Sequence, residues 1–265
     1  MYTRFQLAKK FLHYYFTAAN GKGHGTHSPF VFNFINNVLR DKSDYPAYTP
    51  VEKRRQSLLG DASAIDVEDF GAGSGSLKSN KRVIKDIAAS SLKPAKFGQL
   101  LHRIAHYYQP KTVLELGTSL GITTSYLALG NPAASLVTCE GSGSIGAIAK
   151  ETFAQLHAKN IQLVEGDFAK TLPSLLPQIQ PINLAFIDGN HRRQPTIDYF
   201  NQLLEVVTPE SILIFDDIHW SEEMEAAWKE IQQHPRVTLT VDLFFIGLVL
   251  IDPGFKVKQH FTIRF

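Results

Sequence analysis

The chain has 265 residues, of which 44% are hydrophobic and 20% are charged, a composition typical of a globular protein with room for one large α/β domain and an appendage. Its single cysteine, Cys139, excludes an intrachain disulfide, and no set of Cys and His residues has zinc-ligand spacing, so we expect a cytoplasmic location. No apolar run approaches the ~20 residues that a membrane span needs, and no signal peptide is indicated.

The formal net charge of +2 is unevenly distributed along the chain. Residues 1–96 hold 15 Lys and Arg against 8 Asp and Glu, whereas residues 97–265 hold 12 against 17. A basic excess of this kind is compatible with a surface that faces RNA, DNA or lipid. It is equally compatible with a basic surface that packs on an acidic neighbour.

The N-terminal third, residues 1–94, is predicted to be a mostly helical extension. An aromatic-rich helix is expected over Arg4–Ala19, and a second helix begins at Ser28–Pro29, where Ser is a good N-cap and Pro suits the first helical position. The first helix is apolar almost all round, which favours burial against the rest of the chain or a second subunit over a membrane interface. We expect the extension to provide lid, substrate or oligomer contacts, including a homodimer contact. The segment His24–Pro29 is expected to be a solvated loop, with part of a lid as the alternative.

After Pro94 the pattern changes to strands that alternate with helices, beginning with a helix over Phe97–Tyr108. Five apolar runs follow, each separated from the next by enough residues for a crossover helix: Thr112–Leu116, Ser135–Cys139, Ile161–Val164, Ile182–Ile187 and Ile212–Phe215. Two further runs, Val237–Leu243 and Ile246–Ile251, are joined too tightly for a helix and predict an antiparallel pair. Residues 95–265 therefore predict an α/β domain with a Rossmann-like, doubly wound, seven-stranded sheet, parallel except for one antiparallel edge strand.

Two glycine-rich segments are candidates for a nucleotide-binding loop, Gly71–Gly75 and Gly117–Gly121. The first follows Ala64–Asp69, which has three acids where a buried parallel strand is almost wholly apolar, so we interpret it as a flexible or lid loop. The second follows a compact strand and precedes a helix, and the next strand ends in Glu140. Gly121 to Glu140 is 140 − 121 = 19 residues, close to the ~20 expected for an acid that binds ribose hydroxyls. A tight turn without a ligand is the alternative.

The order Gly-Thr-Ser-Leu-Gly, with Glu115 two residues before the first glycine, resembles motif I of the class I S-adenosylmethionine-dependent methyltransferases. The resemblance extends through Glu140 and Gly166–Phe168 and covers about residues 97–251. It implies S-adenosylmethionine as the cofactor, bound by Glu115, Gly117, Ser119, Gly121, Glu140, Asp167, Phe168 and Asp188. An Asp at a strand end is also a common helix cap, so Asp167 has that alternative.

Acidic residues end the fourth and fifth strands, Asp188 on one and Asp216-Asp217 on the other. Because the carboxyl ends of such strands meet at one edge of an open sheet, we expect these groups to converge on the ligand site. Carboxylates that share a cleft repel one another unless a cation or a raised pKa offsets the charge, and Mg²⁺ prefers oxygen ligands.

The pattern resembles the metal-dependent small-molecule O-methyltransferases of the catechol and macrolide-sugar types. The resemblance implies that Asp188, Asp216 and Asp217 bind Mg²⁺ or another divalent cation and that His191 is the catalytic base. In the alternative, Asp188 contacts only the cofactor, no metal is bound, and the Asp216-Asp217 pair caps the helix that begins near Ser221.

The function predicted is metal-assisted O-methylation of a small hydroxylated molecule by an S-adenosylmethionine-dependent methyltransferase. One alternative is a metal-free methyltransferase that acts on RNA or protein. Only the basic extension favours it, and because no RNA-recognition signature is present, nucleic acid is a disfavoured partner. The other alternative is a regulatory protein that binds the cofactor without chemistry.

Overall fold

The computed structural model describes residues 1–19, 28–67 and 81–265, which form two compact units. Residues 1–41 and 179–265 belong to unit 1, and residues 42–178 belong to unit 2. The domain boundary predicted after residue 94 differs from this division and stays a prediction. The Gly71–Gly75 loop and most of the His24–Pro29 segment lie outside the described residues.

The described helices alternate with strands from residue 95 onward, as the sequence predicts. The helices are α1 (Arg4–Thr17), α2 (Pro29–Phe34), α3 (Tyr48–Gly60), α4 (Ile84–Ser91), α5 (Ala95–Tyr108), α6 (Ile122–Gly130), α7 (Gly143–Gln155), α8 (Phe168–Ile179), α9 (Arg193–Leu204) and α10 (Glu222–Gln233), with a π-helical turn over Ile35–Leu39. The strands are β1 (Ala64–Asp66), β2 (Lys81–Val83), β3 (Thr112–Leu116), β4 (Ser135–Glu140), β5 (Ile161–Glu165), β6 (Ile182–Ile187), β7 (Val207–Asp216), β8 (Leu239–Asp242), β9 (Ile246–Leu250) and β10 (Gln259–Thr262). None of these helices has the length and apolarity needed to span a bilayer.

In unit 2, β3 and β5 lie on either side of β4 and run parallel to it. Val113, Leu114 and Leu116 of β3 are completely buried, as expected for a parallel strand covered on both faces. The short strands β1 and β2 form a separate antiparallel pair. The predicted parallel strands that lead into the glycine loop and into Glu140 are therefore confirmed.

In unit 1, the strand order is β10-β8-β9-β7-β6. Strands β6 and β7 are parallel, β9 is antiparallel to both β7 and β8, and β10 is parallel to β8. The predicted α/β class, with a mostly parallel sheet and one reversed strand, is confirmed, but the predicted edge position of the reversed strand is wrong. Because β8 and β9 form a tight hairpin and β9 is the member that pairs with β7, the reversed strand lies inside the sheet.

Apart from the β1–β2 pair, the described residues form eight strands, whereas seven were predicted. Three of them, β3 to β5, belong to unit 2, and five, β6 to β10, belong to unit 1. The additional strand is β10, whose four residues pair with β8 in the register Phe261↔Val241. Its alternating, half-buried pattern is that of an edge strand with one covered face.

Helix α1 belongs to unit 1 and begins at a capping box formed by Thr3 and Gln6. One side of the helix is packed: Tyr14 and Ala18 are buried with Phe244, and Phe11 packs against them. This packing agrees with the predicted burial of the helix against the rest of the chain. The opposite side is exposed in the single chain, and its burial against a second subunit stays a prediction.

Candidate functional site

The glycine loop of unit 2 connects β3 to α6 in a backbone conformation that favours glycine. Gly117, Ser119 and Gly121 have φ angles of 101°, 49° and 80°. The backbone N–H groups of Gly117 and Thr118 donate to the carbonyl of Cys139 at 3.0 and 3.1 Å. The end of β4 thus fixes the path of the loop.

Gly121 also lies too close to α7 for any side chain. A Cβ atom at this position would be 2.6 Å from the ring of Phe153 and 3.2 Å from the Cα of Ala149. The second glycine of the motif is therefore required both by its positive φ and by the packing of α7 against the loop.

Glu115 is completely buried in β3, and its Oε2 atom accepts hydrogen bonds from two hydroxyl groups. Thr138 on β4 donates to it at 2.6 Å, and Thr124 on α6 donates as well. A buried carboxylate needs such donors. Glu115 thereby links the strand before the loop to the helix after it, and direct contact with a cofactor stays a prediction.

Glu140, at the end of β4, accepts hydrogen bonds from the backbone of the glycine loop and from the backbone of the turn that follows β4. The N–H of Ser119 donates to its Oε2 at 2.8 Å, and the N–H of Ser142 donates to its Oε1 at 3.1 Å. Burial raises the pKa of Glu140, although these backbone donors oppose the rise. A carboxylate has about four acceptor positions, so both oxygens can accept further donors.

Asp167 and Phe168 are half-buried at the start of α8. The Asp167 Oδ1 atom accepts from the N–H of Ala169 at 3.0 Å, which is the capping role that the sequence left open. Gly166, with a φ of 132°, donates its N–H to the carbonyl of Glu140 at 2.8 Å. The turn after β5 is therefore attached to the end of β4, and contact of Asp167 and Phe168 with a cofactor stays a prediction.

The acidic cluster of unit 1 consists of Asp188 after β6, His191 after the same strand, and Asp216 at the end of β7. One ligand atom from each of the three lies within 4.8 Å of the others. The Nε2 atom of His191 is 3.4 Å from Oδ1 of Asp188, and Asp216 is buried. Two carboxylates and an imidazole at this spacing fit a divalent cation.

Asp217 does not join this cluster, although it was predicted as a metal ligand. Asp216 is the last residue of β7, and the backbone turns at Asp217, whose φ is 52° and whose carbonyl accepts the N–H of Trp220 at 2.9 Å. Asp217 therefore follows the strand rather than belonging to it, and its part in metal binding stays a prediction.

The loops after β6 and β7 hold strained backbone. Asn190, His191 and Asp217 have φ angles of 69°, 39° and 52°, a region that non-glycine residues rarely occupy. Such conformations persist where the surroundings enforce them, often at functional sites. One part of the alternative is wrong: the two aspartates do not cap α10, because Ser221 is the cap and its Oγ accepts the N–H of Met224 at 3.2 Å. Whether Asp188 contacts only the cofactor, with no metal bound, stays open.

A polar network that the sequence did not predict lies beside this loop. His219 contacts Asp242 through Nε2 at 2.8 Å and Glu225 through Nδ1 at 3.1 Å. Glu225 also accepts from Lys10 at 2.9 Å and from the Tyr2 hydroxyl at 2.7 Å, both on the N-terminal segment. Burial lowers the pKa of His219, but the two carboxylates outweigh burial and raise it. Tyr2 and Lys10 are more than 200 residues from Glu225 in sequence, so no local pattern signals these contacts.

Residues 114–218 match the family model of a methyltransferase domain, and every predicted site residue lies in this range. A catechol O-methyltransferase of Niastella koreensis is 28% identical over 124 residues, which cover 46% of this chain and 55% of that protein. A tRNA (guanine-N(7)-)-methyltransferase of Mycoplasma mobile is 28% identical over 108 residues, which cover 38% of this chain and 54% of that protein. The chain thus spans about half the length of these curated relatives.

A solved structure of an O-methyltransferase from Bacillus cereus in complex with SAH has a similar fold. It aligns with a TM-score of 0.56 and 18% identity, over 82% of this chain and 96% of that chain. Together these comparisons confirm the predicted resemblance to class I S-adenosylmethionine-dependent methyltransferases and the predicted fold class.

Proposed function

We propose that the chain is an S-adenosylmethionine-dependent methyltransferase of the cytoplasm that methylates a hydroxyl group of a small molecule with the help of a divalent cation. The observation that carries the proposal is the Gly117–Gly121 loop, which is tied to Glu140 by the N–H of Ser119. This arrangement supports a cofactor site because it holds the Glu140 carboxylate beside the backbone of the glycine loop.

The proposed cofactor site in unit 2 consists of the glycine loop, Glu140 and the turn after β5. Gly117, Ser119 and Gly121 pass beneath its methionine portion, and Glu140 accepts hydrogen bonds from the ribose hydroxyls with the acceptor positions that Ser119 and Ser142 leave. Asp167 and Phe168 flank the adenine. S-adenosylmethionine, when bound, would supply a methyl carbon bonded to a positively charged sulfur. An oxygen nucleophile would attack that carbon, and SAH would be the leaving group.

In unit 1, Asp188 and Asp216 hold the cation, and the proposal keeps Asp217 as their predicted partner and Asp188 as a cofactor contact. Their oxygen atoms suit Mg²⁺ or another hard divalent ion. The cation, when bound, orients the acceptor hydroxyl and lowers its pKa. His191 accepts the hydroxyl proton through Nε2, and the Asp188 carboxylate at 3.4 Å stabilises the charged ring that results.

A metal-free methyltransferase that acts on RNA or protein is the second candidate. The Mycoplasma mobile relative and the basic excess of residues 1–96 favour it. No observation favours a regulatory protein without chemistry.

The experiment is transfer of a labelled methyl group by the full chain, with catechol, a hydroxylated metabolite extract and bulk tRNA as acceptors, each with Mg²⁺ or excess EDTA. We expect label in the small-molecule fraction only when Mg²⁺ is present. Label in tRNA alone, unaffected by EDTA, would establish the second candidate instead. Cofactor binding without transfer to any acceptor would contradict both.

A further inference from the structure

Helix α1 has a second apolar side that points away from unit 1. Phe5, Leu12 and Phe16 are 80%, 55% and 76% exposed, although Tyr14 of the same helix is buried. The three are spaced i, i+7 and i+11, which places them on one side of an α-helix. We call this side, with Ala8 and Tyr15, the outer face of α1.

Basic residues border the outer face on both sides. At about 100° per residue, the apolar side chains from Tyr15 to Phe16 span roughly 100° of the helix, and Arg4 and Lys9 fall about 20° beyond its two edges. Arg4 and Lys9 are exposed. The helix sequence, RFQLAKKFLHYYFT, has no acidic residue.

The charge on the inner side of α1 is already matched within unit 1. Lys10 pairs with Glu225 at 2.9 Å, so the charge of this half-buried cation is matched. Further along the helix, the guanidinium of Arg264 lies 4.4 Å from the ring centre of Tyr15, which adds a cation at the border of the outer face. The exposed side of α1 thus combines apolar side chains with basic residues, and the helix contributes no acidic residue to it.

We propose that the outer face of α1 docks the protein on an anionic lipid surface. Phe5, Leu12 and Phe16 enter the boundary between headgroups and acyl chains, and Arg4 and Lys9 pair with lipid phosphates. Because α1 is already folded and held by Tyr14 and Phe11, binding does not incur the ordering cost that an unfolded amphipathic segment incurs. This docking is independent of methyl transfer.

Charge distinguishes this partner from a second copy of the chain, the homodimer expected from the sequence. A symmetric dimer through the outer face would bring two copies of the same patch together. Arg4 and Lys9 of both copies would then surround an apolar contact to which α1 brings no carboxylate. An anionic lipid surface satisfies the apolar and the charged residues at once.

The test is co-sedimentation of the full chain with vesicles of phosphatidylcholine alone or with about one third phosphatidylglycerol. We expect binding to the anionic vesicles only. The double variant Phe5→Ser/Phe16→Ser should weaken binding at least tenfold. Arg4→Gln/Lys9→Gln should weaken it about 25-fold, from roughly a fivefold contribution for each basic residue near an anionic surface. Phe32→Ser is the matched control, because Phe32 is 49% exposed but lies on α2 of the same unit.

Absence of binding to anionic vesicles, or equal binding by the Phe5→Ser/Phe16→Ser variant, would overturn the proposal. So would a dimer that dissociates on Phe5→Ser/Phe16→Ser substitution without any vesicle binding, since the second copy would then be the occupant. Circular dichroism of each variant verifies that the fold is retained.

Discussion

Replacing Gly121 by Ala should destabilise the protein by about 2–4 kcal/mol. The left-handed backbone, with φ of 80°, costs a residue with a Cβ roughly 1–2 kcal/mol. The new methyl group would also lie 2.6 Å from the Phe153 ring and 3.2 Å from the Ala149 backbone, and overpacking of that kind costs about 1–3 kcal/mol. The sum is limited because the Phe153 ring can turn away, whereas the Ala149 backbone cannot.

The assay is urea unfolding followed by circular dichroism, with Gly60→Ala as the matched control. Gly60 is the last residue of α3 in the same unit, and a Cβ there would meet nothing within 4 Å. The control should leave stability unchanged or raise it by up to about 1 kcal/mol, since Ala is the better helix former. A Gly121→Ala variant as stable as the control would refute the close approach of α7 to the loop.

Three further predictions concern unit 1. Asp216→Asn should lower the affinity for Mn²⁺, measured by calorimetry, about tenfold or more, with SAH binding retained; unchanged affinity would remove Asp216 from the ligand set. His191→Ala should reduce turnover at pH 7 by about 10²–10⁴-fold and by less at high pH, where the hydroxyl ionises unaided, and an unchanged rate would assign this histidine no role as a base. The raised pKa of His219 stabilises the folded state fully below its ordinary value of 6.5, so the free energy of unfolding should fall as the pH rises through that raised pKa. His219→Gln should abolish that fall in urea titrations across the pH series, and an unaltered profile would place its cause elsewhere.

The local features of the site were predictable from the sequence because they follow from short-range rules. The sequence around Gly117 has the pattern of a buried strand, then a turn that needs positive φ, then the start of a helix. The next strand ends at Glu140, at the distance expected for an acid that binds ribose hydroxyls. The same rules identified Asp188 and Asp216, since each ends a strand.

The parts that the sequence did not predict depend on contacts between distant segments. The hairpin of β8 and β9 was evident, but which of them pairs with β7 is decided by packing. The β10 strand is only four residues long and forms by pairing with β8, and Glu225 meets Lys10 across 215 residues.

Calorimetric titration of the full chain with SAH tests the central claim most directly, because the glycine loop and Glu140 are the basis for assigning the cofactor. We predict saturable binding at one site per chain. Glu140→Ala should lose about 1–3 kcal/mol of binding free energy, roughly 5–150-fold in affinity, with the loss of hydrogen bonds to the ribose hydroxyls. Absence of binding by the wild-type chain at millimolar SAH, or identical binding by Glu140→Ala, would contradict the account.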